Sequence, residues 1–129
     1  MDERKSRKML ARDEIERPIP LEWRITFQEI ADAFANGDFA LQNHPVDRVA
    51  PIDQPTSKFI ASCVAGYGDS IAPLQSATWE RSCYLWMDGY WQFLVDLSTD
   101  AEEVSDLTLH AILREGDNTR LEIQSIHVP

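Results

Sequence analysis

The feature that most constrains this chain is the dipeptide Asp88-Gly89, set between two runs rich in aromatic and branched residues, 78–87 and 90–98. Asp-Gly is favoured in two-residue hairpin loops because both central residues of a type I′ turn take positive φ. A loop of that length fixes the register: Met87 faces Tyr90, Trp86 faces Trp91, Tyr84 faces Phe93 and Arg81 faces Asp96. The last pair is a cross-strand charge match that supports the register independently. Side chains alternate across a strand, so Tyr84, Trp86, Trp91, Phe93, Val95 and Leu97 share one face and form a core. Trp79, Cys83, Leu85, Met87, Tyr90 and Leu94 share the other. That second face is nearly as apolar, whereas a sheet with one solvated face alternates more cleanly. Three outcomes are open. A helix covers each face, the loop over 42–55 folds across the second face, or the second face is an interface with a partner.

The same pattern continues to the C-terminus. A third strand over 104–114 carries Leu107, Leu109, Ala111 and Leu113 on one side, and Gly116 lies in the turn that follows. In a fourth strand over 119–128 the inward parity changes between Ile123 and Ile126, which a β-bulge at Gln124–Ser125 restores. Leu113 then opposes Leu121, Ala111 opposes Ile123, Leu109 opposes Ile126 and Leu107 opposes Val128. Ahead of the hairpin, Pro20 opens a helix over 21–36 with Trp23, Phe27, Ile30 and Phe34 at helical spacing and Gly37 as its stop. Ile25 stands on the opposite, acidic stripe of that helix with Glu29 and Asp32. Residues 38–41 read as a short extended piece and 42–55 as a proline-punctuated loop. A second helix starts after Thr56 as N-cap, buries Phe59, Ile60, Cys63, Val64 and Tyr67, and ends at Gly66 and Gly68. The predicted fold is α+β, two helices packed on a four-stranded antiparallel β-meander. The 129 residues suit one domain, placed at 18–129. Residues 1–17 are charged in both signs and read as an extension outside it, helical or loose.

Charge excludes some partners. The chain carries −10 at neutral pH, unevenly spread: residues 1–24 hold seven basic and six acidic side chains, the remainder five basic and 16 acidic. A domain near −11 repels phosphates, which argues against nucleic acid and favours a basic protein. No apolar run approaches the ~20 residues of a membrane span, and the N-terminus lacks the apolar region of a secretory signal. Cys63 and Cys83, each within an apolar pattern, read as reduced core residues of a cytoplasmic protein.

Catalytic patterns are weak. His110 and His127 lie on the last two strands without a ligand at metal spacing, and His44 sits in a loop. Cys83 has no sequence context that marks a nucleophile. Asp96, Asp100, Glu102, Glu103 and Asp106 form the densest acidic run, yet they lack EF-hand spacing and read as a solvated loop or an acidic lip. The chain has no phosphate loop, nucleophile elbow or dinucleotide fingerprint, so no metal or cofactor is expected and the protein is read as not an enzyme.

Two stretches carry a resemblance. W-R-x-x-F-x-x-I-A-D-A-F-x-x-G-D-F over 23–39 and W-M-D-G-Y-W-Q-F-L-V-D-L-S-T-D over 86–100, followed by S-D-L at 105–107 and a terminal H-V-P, resemble a small bacterial family of uncharacterised domains. The resemblance spans 21–129 and implies no catalytic residues. In size, acidity and architecture the chain also resembles, in kind, the immunity proteins of contact-dependent inhibition and other polymorphic toxin systems. That likeness implies a cytoplasmic inhibitor that binds and neutralises a basic toxin domain such as a nuclease. Asp100, Glu102, Glu103 and Asp106 would supply charge, and Trp79, Met87 and Tyr90 apolar anchors. The alternative is a small-molecule-binding or enzymatic domain whose pocket is lined by Tyr84, Trp86 and Trp91, with Asp96 or His110 as the polar group. A homodimer through the sheet is the third reading.

Overall fold

The computed structural model describes residues 10–129. The chain forms β1 (Arg17–Pro18), α1 (Leu21–Ala35), α2 (Gln54–Tyr67), β2 (Ile71–Ala72), a 3-10 helix (Ser76–Glu80), β3 (Cys83–Trp86), β4 (Tyr90–Asp96), β5 (Ser98–Thr99), β6 (Thr108–Arg114) and β7 (Glu122–His127). The α+β class holds. The four-stranded meander is corrected to a five-stranded antiparallel sheet in the order β1-β3-β4-β6-β7, with β2 and β5 forming a separate two-stranded ribbon.

The hairpin register matches expectation. Trp86 pairs with Trp91 and Tyr84 with Phe93, and Asp88 and Gly89 both take positive φ, 57° and 122°. The ladder ends earlier than expected, at Cys83–Leu94. Residues 78–82 are drawn away by their own side chains. The Thr78 hydroxyl donates to the Gln75 carbonyl, and the Ser82 hydroxyl donates to the Thr78 carbonyl at 2.6 Å while accepting from the Asp96 N–H at 2.9 Å. Ser82 thus takes the place of a ladder partner, an alternative that short hydroxyl side chains offer a backbone. Arg81 still reaches Asp96, at 3.8 Å, but by side chain alone. The bulge on β7 lies where parity requires it: His110 pairs with Ser125 and Ala111 with Ile123, leaving Gln124 as the extra residue, and Leu109 pairs with Ile126.

Other boundaries shift for local reasons. Asp53 rather than Thr56 caps α2; its carboxylate accepts from the Thr56 N–H at 2.8 Å, with Pro55 in the first turn where its missing donor is harmless. Residues 38–41 form a turn instead of an extended piece. The Asp38 carboxylate accepts from the backbone N–H groups of Gln42, Asn43 and His44 and from His44 Nδ1, and Leu41 takes φ 57° beneath it. The third strand begins at Thr108, because the Ser105 N–H and hydroxyl both turn back onto the Leu97 carbonyl.

One core lies on one side of the sheet. Phe93 is fully buried at its centre, with the rings of Trp23, Phe27 and Tyr84 at 5.5, 5.5 and 5.8 Å. α1 supplies Trp23, Phe27, Ile30 and Phe34 to this side, and α2 supplies Ile60 and Val64. The loop over 42–55 buries Val46, Val49 and Ile52 in the same core and hydrogen-bonds Leu121 through Arg48 and Ala50. Phe59 and Ile25, expected respectively in a buried face and on an acidic stripe, are both more than half exposed.

Residues 10–17 pack onto this domain, although they belong to the stretch read as an extension. Leu10 is 5% exposed within the core, and Arg17 and Pro18 pair with β3. Residues 1–9 of that extension lie outside the described residues.

Candidate functional site

Both helices and the long loop place their buried residues on the Phe93 side; at the second face α2 reaches only the β7 edge, where Cys63, Gly66 and Tyr67 flank His127. Register assigns that face from the side chains directly opposite one another: Cys83 beside Leu94, Leu85 beside Gln92, then Ile112 beside Gln92 and Glu122, His110 beside Leu94 and Ser125, and Thr108 beside Asp96 and His127. Most of these side chains are half-buried. Ile112 is the one large buried apolar side chain of the sheet that stands apart from the core. The result is an apolar strip, Cys83–Leu85–Leu94–Ile112, running from the hairpin turn toward the acidic loop.

At one end stand Tyr90, half-buried, and Met87, 40% exposed, at the hairpin turn. At the other is the acidic loop after β5. It is tightly fastened: the Asp100 N–H donates to the Ser70 carbonyl at 3.1 Å, the Ala101 N–H to Asp69 Oδ2 at 3.1 Å, and the Tyr67 hydroxyl to Glu102 Oε1 at 2.6 Å while accepting from the Asp106 N–H at 3.2 Å. The Glu102 carboxylate holds the Tyr67 phenol above its ordinary range. Among the described residues no ion pair engages Asp69, Asp100, Glu102, Glu103 or Asp106. A shallow depression lined by Arg81, Asp96, Ser105, Asp106, Thr108, Val128 and Pro129 joins this loop to the open face.

The titratable groups of the face favour contact over chemistry. Burial pushes the Cys83 thiol up to about 11, helped by the nearby carboxylates of Glu16 and Asp96. A thiol held protonated at neutral pH is a poor nucleophile. Burial also raises the Asp96 carboxyl, against the Arg81 guanidinium and the Thr108 hydroxyl. His110 and His127, read from sequence as strand or rim residues without a metal-ligand pattern, stack with ring centroids 4.1 Å apart. Among the described residues no three His, Cys, Asp or Glu side chains are placed to hold a metal ion.

The residues singled out by sequence therefore divide. Met87 and Tyr90 lie on the open face. Asp100, Glu102, Glu103 and Asp106 lie beyond its far end; β4 is seven residues long, so the two groups stand roughly 20 Å apart. Trp79 belongs to neither. It is buried in the 3-10 helix with the Arg24 guanidinium 5.3 Å above its ring, because the strand that was to expose it stops at Cys83. Tyr84, Trp86 and Trp91, proposed as pocket walls, are closed over by the N-terminal segment. The Ala11 N–H donates to the Tyr84 hydroxyl at 2.8 Å, the Trp91 indole donates to the Ala11 carbonyl at 2.9 Å, and Arg12 lies 5.5 Å above both tryptophan rings. Asp96 and His110 lie on the other face from these rings. Sequence missed Leu10, whose signal was the short apolar run Met9–Leu10–Ala11 in a charged stretch.

No curated protein and no solved structure matches the chain. The sequence model of a family described as a domain of unknown function, DUF7668, matches residues 31–129. That span takes in the C-terminal end of α1 (31–35), all of α2, strands β2 to β7 and the acidic loop. This chain belongs to the DUF7668 family.

Proposed function

We propose that the protein is a binding module that takes a basic protein partner on the open sheet face, in the manner of a cytoplasmic immunity protein that neutralises a toxin domain such as a nuclease. The observation that carries this reading is the continuity of half-buried Cys83, Leu85 and Leu94, which stand outside the core among the described residues, with a fastened acidic loop that lacks ion-pair partners among the described residues. Unpaired carboxylates steer a basic partner to the surface, and an apolar strip beside them provides area to bury once it arrives. The ~20 Å between Tyr90 and the loop fits within a standard interface of ~800 Å² per partner. A partner that binds phosphates has a basic active site, which an acidic surface blocks without catalysing anything. Among the described residues no helix is long and apolar enough to cross a membrane.

The test couples capture with kinetics. A basic protein retained from host lysate is identified, and its binding is followed at low and high salt. Glu102 is left intact because its carboxylate anchors Tyr67. Asp100→Lys, Glu103→Lys and Asp106→Lys together should slow association about tenfold or more at low salt, with the difference shrinking at high salt. Tyr90→Ala should speed dissociation with little salt dependence. Unchanged association of the triple variant removes the electrostatic argument. Self-association, or a small ligand that raises the melting temperature in place of any basic partner, replaces the reading altogether.

A further inference from the structure

The stacked imidazoles of His110 and His127 lie at one edge of the sheet. β7 is the last strand, and its ladder is interrupted by the bulge at Gln124. Beyond that break only Ser125, Ile126 and His127 remain paired to β6, and Val128 and Pro129 follow exposed. Within this short stretch His110 stands beside Ser125, stacks on His127 at an interplanar angle of 21°, and leaves its Nε2 shielded from solvent with no hydrogen-bond partner. His127 Nδ1 is 3.1 Å from the Ser125 hydroxyl.

We propose that the His110–His127 stack is a proton-sensitive catch, which locks the end of β7 onto the sheet when both rings are neutral and releases it on acidification. The neutral pair fits: two flat rings stack, and a bare ring nitrogen is tolerated in a half-buried site. A proton on His110 creates a cation beside another imidazole. If the proton goes to Nε2, it creates a buried N–H with no acceptor, which costs more than an unfilled lone pair. A second proton on His127 adds a like charge at stacking distance. The groups that face the pair do not cancel this. On β4, Leu94 lies directly opposite His110 and Gln92 and Asp96 lie diagonally, with Asp96 already engaged by Arg81 and Thr108. On β6 the flanking side chains are Thr108 and Ile112. On the side of α2, the hollow at His127 is lined by Cys63, Gly66 and Tyr67. Burial and then His127 hold the His110 imidazole below its ordinary range. The unfolded chain therefore binds the proton more readily than the folded one, so this contribution to stability is present at higher pH and is lost as pH falls through the ordinary imidazole range. The catch stands without any partner. If the open face is a binding surface, the catch also makes binding pH-dependent, a consequence that rests on the function proposed above.

The experiment follows imidazole resonances by NMR between about pH 8 and pH 5, with amide hydrogen exchange measured in parallel. His110 should take its proton below the ordinary imidazole value of about 6.5. Exchange at Ser125, Ile126 and His127, corrected for the intrinsic pH dependence, should rise about fivefold or more relative to the amides of β4 as pH falls from about 7.5 to about 5.5. In His127→Gln, which keeps a polar side chain without the like charge, His110 should titrate higher and the relative exchange should lose part of its pH dependence, the part due to burial of His110 remaining. If that variant does not fold, the wild-type titration and exchange decide alone. Protonation of His110 at or above the ordinary value, or a β7 end no more labile at low pH than β4, overturns the catch.

Discussion

Phe93 and Leu94 are neighbours on β4, both large and apolar, yet Phe93 is fully buried and Leu94 is only half-buried. The same split runs through the sheet. On the Phe93 side, aromatic and branched residues meet α1, α2 and the loop over 42–55; on the Leu94 side, Cys83, Leu85 and Leu94 stand outside that core. Alternation sorts side chains between faces, but apolarity alone does not say which face acquires a cover. The cover was decided by loops, since the connections before the hairpin deliver both helices and Val46, Val49 and Ile52 to one side.

The sharpest way to break this comparison is to truncate across it. Phe93→Ala should cost about 3–5 kcal/mol, the range for a buried ring that leaves a cavity, measured by denaturant unfolding. If Leu94→Ala costs as much, the second face is covered in solution and the interface reading fails with it. An intermediate effect belongs to the turn that closes the Phe93 side. Asp38→Asn should cost roughly 1–2 kcal/mol near neutral pH, the scale of hydrogen bonds to a charged acceptor. Burial alone would raise the Asp38 carboxyl, but hydrogen bonds from His44 and the backbone N–H groups of Gln42, Asn43 and His44 hold it down at about 2. Because the folded-state value lies below the unfolded one, this stability is present above pH about 4 and is lost as pH falls toward 2. Wild type and variant should therefore converge in acid, where curves that stay parallel would assign the cost to packing. The covered side thus loses stability in strong acid, whereas the open face is sensitive near the imidazole range.

A smaller effect tests the register that separates the faces. Gly89→Val should cost about 1 kcal/mol or more, because Gly89 sits at φ 122° in open space, where backbone conformation and no steric clash sets the cost. An unchanged melting temperature would mean that the turn is not the one that fixes Trp86 against Trp91. The smallest effect is expected at Leu94→Ala itself, under about 1 kcal/mol, as for a surface site away from caps and strained backbone. A larger loss of partner affinity than of stability in that variant would place Leu94 in the interface.

Several features were legible from local chemistry. Asp88-Gly89 defined the hairpin pairs from Trp86–Trp91 to Tyr84–Phe93, because a two-residue turn permits one register. The parity change between Ile123 and Ile126 located the bulge, because a strand with one buried face tolerates no slip. Both helices were legible from apolar spacing, within a few residues at their ends. Other features depended on contacts distant in sequence. Trp79 was assigned to an exposed face because its neighbours alternate, yet the hydroxyls of Thr78 and Ser82 bend the chain and Arg24 covers the ring. Leu10 and its two apolar neighbours were too short a run to mark a core segment, and Tyr84 and Trp91, more than 70 positions away, bind the adjacent Ala11 backbone. The His110–His127 stack required two strands, a bulge and a shared face at once. Turn chemistry and periodicity act over a few residues, so sequence alone determined the hairpin, the bulge and the two helices. Burial is a property of whatever arrives from elsewhere in the chain, so only the tertiary structure decided which face of the sheet is covered and which acidic loop borders the face left open.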